Sequence, residues 1–350
     1  MSHSPDPLVG ARPIHTRSLD VEVRAGDRGS SIWEARGELV DLRKGGFVPV
    51  AADLQTAGLL HHMRVAAQFD ADRRTLVDVS AEQPAVAFEA SRLSEGESCR
   101  DPVARLGALA GVELATGWDH SLLDAIGGPR GCSHVLALAR LVGATLAWLT
   151  SEAGVQNTAA DWRPGERIFH RSLCFDCTDR GEEGFALQVQ LIDLHFKPTP
   201  EVVRPMERFE RQTDVRGQAL VGRGDLALHE LQLARRERGL ANLERARWED
   251  VGATLAQLQG VPVARGMRRR VLEALPDEAP GAPLVAALLD LAPAVLQCLA
   301  SDCEPWPARA AGDTSLVVSG GLPDSCWMWR GEGALARARA REQDPPQRKR

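Results

Sequence analysis

The sequence predicts an α+β fold built as two tandem copies of one strand-hairpin-then-helices domain, related by a pseudo-twofold axis. Three observations point there. Blocks of sequence recur in the same order roughly 150 positions apart. Apolar residues alternate with polar ones in the front part of each block. They switch to helical spacing in the back part, and strands followed by helices is the α+β pattern.

The recurrence begins with Arg17-Ser18-Leu19, which returns as Arg171-Ser172-Leu173. Glu38 to Leu42 returns as Gln190 to Leu194, and His61-His62-Met63 is matched to His229-Glu230-Leu231. The longest match pairs Leu109–Ile126 with Leu258–Leu275, where seven of 18 positions are identical. Chance in an Ala/Leu/Gly-rich chain gives about two. Repeat 1 is expected over residues 14–152 and repeat 2, a degenerate copy, over 168–302. A polar link, Ala153 to Glu166, joins them. A C-terminal extension then spans 303–337, and the Arg-rich stretch 338–350 reads as a disordered basic tail.

Within repeat 1, Leu19, Val21 and Val23 alternate with Asp20, Glu22 and Arg24, a strand with one wet face. Gly26 to Ser30 turns the chain into a second strand, Ile32 to Leu42. His62 to Phe69 and Thr75 to Val79 flank Asp70-Ala71-Asp72-Arg73, a hairpin signal. Trp118 to Ile126 has helical spacing, Gly127 to Gly131 breaks it, and Val135 to Leu149 resumes an apolar helical stripe. Repeat 2 opens with strands Leu173 to Cys177 and Phe185 to Leu194. It closes with helices Gly266 to Leu275 and Leu284 to Leu299.

Composition narrows the function. The chain has 350 residues, 44% hydrophobic and 26% charged, enough apolar content for a real core. A net charge of −6 argues against a general nucleic-acid binder, which needs a basic face. No apolar run is read as membrane-spanning, and Met1 to Pro13 lacks a signal core. Seven cysteines over a long chain fit reduced thiols, so the protein is expected to be cytoplasmic. P-loop, zincin, dinucleotide and nucleophile-elbow motifs are missing from usable contexts.

Gly131-Cys132-Ser133-His134 at a helix start is the best chemical candidate. Ser133 is a plausible N-cap, and the helix terminus should lower the Cys132 thiol pKa. Cys132 and His134 then form either a thiolate–imidazole pair or two metal ligands, against the plain alternative of packing and capping. His61 and His62 form the second candidate. They point to opposite faces of a strand, so only one can face a given pocket. Asp41 and Asp193 recur at equivalent places. Each can be a carboxylate partner of a histidine or a turn cap, and the reading favours the turn. Cys174 and Cys177 fall on opposite faces of a strand and do not make a joint metal site.

These pieces resemble a bacterial domain family of unknown function. Its signatures are His-acid-Met on a strand, Leu-x-Gly before a second glycine, and Gly-Cys-Thr-His. Here they correspond to His61-His62-Met63, Leu109 to Gly117 and Gly131 to Val135. Two departures stand out, His62 at the acidic position and Phe88 where a cysteine is expected. A fainter similarity is to iron–sulfur cluster scaffold proteins; it implies His62, Cys132 and His134 as ligands. The combined expectation is one site in repeat 1, with His61, His62, Cys132 and His134 as metal ligands and Cys132 and His134 as catalytic groups. Zinc or iron is the implied cofactor, and a metal- or thiol-dependent small-molecule enzyme the implied function. The alternative is a non-catalytic scaffold or partner protein. No nucleic-acid or membrane partner is expected, and the chain is read as pseudo-dimeric within itself.

Overall fold

The computed structural model describes residues 12–45, 48–50, 53–55, 57–115, 117–151, 162–198, 205–263, 266–301 and 322–343. Most of the expected link, the start of the C-terminal extension and residues 344–350 lie outside the described residues.

Strand alternation resolves into long antiparallel strands: β1 (Arg12–Ala25), β2 (Ile32–Arg43), β5 (Gly58–Asp70) and β6 (Thr75–Ala85) in the first half. A small hairpin, β3 (Val48–Val50) and β4 (Asp53–Gln55), separates β2 from β5. The second half adds β7 (Arg167–Asp179), β8 (Phe185–Phe196), β9 (Phe209–Val221), β10 (Leu228–Gly239) and the two-residue β11 (Glu249–Asp250). One nine-stranded sheet results, in the order β11-β10-β9-β8-β7-β1-β2-β5-β6. Its centre is the antiparallel pair β1 and β7, with Leu19 opposite Leu173.

The pleat gives each strand one apolar face. Leu19, Val21, Val23, Leu39, Met63 and Phe69 are all buried, whereas Asp20, Glu22, Glu38 and Arg64 stand on the other face. Helices cover the apolar face. They are α1 (Trp118–Ile126), α2 (Ser133–Leu149), α3 (Gly252–Leu255), α4 (Met267–Ala274), α5 (Pro283–Leu289) and α6 (Leu291–Ser301). The fold is therefore mixed α+β, with helices on one face of an antiparallel sheet. Helix α2 packs closely over Gly37 of β2. A Cβ there would sit 2.6 Å from Val142 Cγ2 and 3.0 Å from Leu138 Cδ1.

Four expectations need correction. The stretch Pro283–Ser301 is helical and, at 19 residues, long and apolar enough by length and composition to cross a membrane. Asp290 and Pro293 interrupt its apolar run and hid it. Leu284, Val285, Leu288, Leu291 and Val295 bury it in the core. The thiols are not all reduced, since Cys177 of β7 and Cys298 of α6 form a disulfide. Ala338 to Gln343, read as the start of a disordered tail, belong to a helix, α7 (Ala334–Gln343), with Ala338 buried. Finally, the N-cap of α2 is Cys132 rather than Ser133, and no side chain caps it.

Candidate metal centre

Three elements of the first half and one of the second converge on Asp41. Strand β2 buries Asp41 completely on the helix-covered face, so it caps no turn. Strand β1 supplies Arg17, whose Nη1 donates to Asp41 Oδ1 at 3.1 Å and Oδ2 at 2.9 Å. From the same strand, His15 Nε2 lies 3.1 Å from Oδ1. Strand β5 pairs His61 opposite Asp41 and brings its Nδ1 to 3.3 Å from Oδ2. The first turn of α2 brings His134 Nε2 to 3.5 Å from the same oxygen. One ligand atom each from Asp41, His61 and His134 lies within 4.8 Å of the other two. The imidazoles of His61 and His134 stack, with centroids 3.7 Å apart and planes at 26°.

Helix α6 closes the site from above. Gln297 Nε2 donates to His134 Nε2 at 2.9 Å, and Ser301 Oγ sits 3.4 Å from His15 Nδ1. With Nε2 accepting, the neutral His134 ring carries its proton on Nδ1, which faces Cys132 Sγ at 3.8 Å.

The protonation states follow from burial and charge. Desolvation alone would raise the Asp41 carboxyl, but the Arg17 charge and the His15 hydrogen bond outweigh it, holding its pKa well below the usual value. Burial, then the neighbouring His61, push His134 well below the ordinary imidazole value. Burial lowers His15 too, against the pull of Asp41. The result is an ionised Asp41 carboxylate beside His134 and His15 held neutral, and a carboxylate and a neutral imidazole are the states that bind metals.

His61 and His134 are thus brought together, and the group that joins them is Asp41, for which the histidine-partner reading holds and the favoured turn-cap reading does not. His62 points to the opposite sheet face, where its Nε2 is 2.5 Å from Glu38 Oε1. Cys132 adjoins the site but faces the far nitrogen of His134. Its thiol is buried and pushed up to about 11. Desolvation defeats the helix terminus there, so a lowered thiol pKa is not found. Burial raises Cys99, Cys174 and Cys326 as well. His229 lies on β10 and pairs with Asp225, far from the position opposite Asp193, which is Thr213 on β9. The signal that could have found the centre is the charge pair itself: Arg17 with Asp41 and Arg171 with Asp193 both recur.

Residues 15–147 match a family described as "Protein of unknown function (DUF2889)". That match spans His15, Arg17, Asp41, His61, Cys132 and His134, and stops short of Gln297 and Ser301. No curated protein and no solved structure matches the chain.

Proposed function

We propose that Asp41, His61 and His134 hold a divalent first-row metal ion, zinc or iron, and that the protein is a metal-dependent enzyme acting on a small molecule. The observation that carries this is the convergence of three donors on one point from three separate elements. Donors at bonding distance of a tetrahedral zinc are about 3.4 Å apart. The two histidine nitrogens stand 3.3 and 3.5 Å from Asp41 Oδ2. His61 Nδ1 is also buried, and its 3.3 Å contact with Asp41 Oδ2 lacks good hydrogen-bond geometry, an arrangement that suits a ligand atom better than a structural one. The stacked rings require one imidazole to turn, and Gln297 to release His134 Nε2, before both lone pairs meet. A bound ion with open positions would acidify a water or polarise a carbonyl. The chain's own part is to keep Asp41 charged through Arg17, keep His134 neutral by burial, and shield the centre under α6.

The thiol-dependent version gains no support from Cys132, buried and hard to ionise. Two histidines and one carboxylate also differ from the cysteine-rich ligand set that an iron–sulfur scaffold uses.

We infer further that the halves are copies and that only the first holds a site. Arg17 faces Asp41 as Arg171 faces Asp193. Leu76 N donates to Val112 O, and Leu228 N to Val261 O. Arg74 and Leu226 share a left-handed backbone, and Gly117 and Gly266 both begin helices in that conformation. On this reading Thr213, not His229, stands in the role of His61, and Leu284 in that of His134. In the second half Arg171 is fully engaged, donating to Asp193, Thr145 Oγ1 and Gly281 O. In the first half Arg17 Nε and Nη2 are buried without partners.

The test is metal analysis by plasma mass spectrometry on untagged protein, before and after incubation with Zn²⁺ or Fe²⁺. About one equivalent is expected, lost in Asp41→Asn and His61→Ala and kept in His62→Ala. Protein that takes up neither ion removes the enzyme reading and leaves the non-catalytic scaffold.

A further inference from the structure

Helix α6 is apolar along most of its length, and Gln297 and Ser301 carry its only amide and hydroxyl side chains. They stand four positions apart, on one face of the helix. Both reach the cluster around Asp41. Ser301 Oγ is 3.4 Å from His15 Nδ1, and Gln297 Nε2 is 2.9 Å from His134 Nε2. The other side chains of the cluster, His15, Arg17, Asp41, His61 and His134, all come from the first half. Gln297 and His134 are partly exposed, so an ion in solution can reach the pair.

The contact between them does not suit a bound ion as it stands. Gln297 Nε2 donates to His134 Nε2, the nitrogen that also lies 3.5 Å from Asp41 Oδ2. An N–H group aimed at a cation is repelled by it. The carboxamide has a second end, Oε1, which accepts and can bind a metal ion. The terminal torsion of glutamine is broad and roughly two-fold, so turning the amide end for end costs little. That turn puts an oxygen where the nitrogen now stands, 2.9 Å from His134 Nε2. Nitrogen and oxygen donors that share one first-row ion stand about 2.9 to 3.4 Å apart, from octahedral to tetrahedral geometry. Gln297 already sits at that spacing.

We propose that Gln297 is a fourth ligand, through Oε1, to the ion held by Asp41, His61 and His134, an inference that rests on the metal reading above. The second half of the chain then completes the site, from outside the stretch 15–147 that matches the family. Four protein donors leave a fifth position for water or substrate, a coordination that catalytic zinc reaches during reaction. The competing role is a plain latch, in which the amide only blocks His134 Nε2 and must leave before the ion binds. A ligand and a latch predict opposite effects when the amide is removed.

Zn²⁺ affinity of the full-length protein, measured by competition with a chromophoric chelator, separates the two. The visible absorption band of the Co²⁺ form reports the donors directly. Gln297→Leu is expected to weaken Zn²⁺ at least about tenfold. Gln297→Glu keeps the length and offers a charged oxygen, and should bind at least as tightly as wild type. Both changes should shift the cobalt band, since each replaces a donor. Tighter Zn²⁺ binding in Gln297→Leu would make the amide a latch and overturn the proposal. A cobalt band identical in wild type and both variants would also overturn it, while leaving the three-donor site intact. Wild type that takes up neither Zn²⁺ nor Co²⁺ removes the metal reading itself, and the fourth ligand with it. Circular dichroism verifies that each variant is folded, and if Gln297→Leu is not, the cobalt band of Gln297→Glu decides alone.

Discussion

Asp41 and Asp290 are both buried carboxyls, and their surroundings push them in opposite directions. Asp41 has Arg17 against it and stays ionised. Removing one partner of such a pair leaves an uncompensated buried charge, which costs about 3–5 kcal/mol, whereas removing both is far milder. Asp41→Asn should therefore lower stability in urea by that amount, and Arg17→Met with Asp41→Leu should lose less than the single change. Equal loss in single and double variants would show that the pair matters through packing alone. Asp290 goes the other way, because desolvation raises its pKa to about 6 from 3.8. A group raised in the folded state adds stability below its unfolded value, and that stability is lost as pH rises through about 6. The displacement corresponds to about 3 kcal/mol. Asp290→Asn should be more stable than wild type by up to that amount at pH 8 and show no advantage at pH 4. A constant difference across that range would contradict the assignment.

At the scale of elements, α6 links the fold's cross-link to the proposed metal centre. Cys177 pairs across the sheet with His15, and Cys298 lies next to Gln297, which holds His134. The disulfide spans 121 residues, for which a chain-entropy estimate is about 5 kcal/mol, although strain often reduces the realised value. Cys177→Ser with Cys298→Ser should lose several kcal/mol, and wild type in dithiothreitol should fall to the same level. A midpoint insensitive to reductant would mean the cross-link carries no stability. Strands and helices were unequally legible in the sequence. Leu19, Val21 and Val23 announce β1 because one face is wet and the other dry, and Trp118 to Ile126 announces α1 because its glycine boundaries are sharp. Strand β9 went unread, since Glu210, Arg211, Gln212 and Thr213 break its alternation before Val215 and Ala219 restore it. The site was half legible. His134 and Cys132 stand at a marked turn, but Asp41 sits inside a strand where a lone acid reads as a turn cap. Gln297 and Ser301 come from the far half of the chain, and no local pattern connects them to His134 or His15.

For the whole molecule the governing feature is the central pair of strands. Leu19 faces Leu173, Arg17 faces Phe175 and Val21 faces Arg171. Under the duplication inferred above, Leu19 and Leu173 are equivalent positions, so the pseudo-twofold axis passes between them. A strand that pairs this way with its own copy can pair with itself in a homodimer at no cost in register. Without the second half, β1 would be a long edge with apolar Leu19, Val21 and Val23 uncovered, which an isolated domain does not keep exposed in water. A fragment ending at Ser151 is therefore expected to be a homodimer through β1, with Leu19 opposite its copy. Light scattering on a sizing column measures this directly. Leu19→Lys puts two like charges opposite each other at the centre of the new seam and should shift the fragment toward monomer or aggregate. A fragment that is monomeric and fully folded would show that β1 does not need a partner strand, and the inferred axis would then describe the sheet's geometry without accounting for its origin.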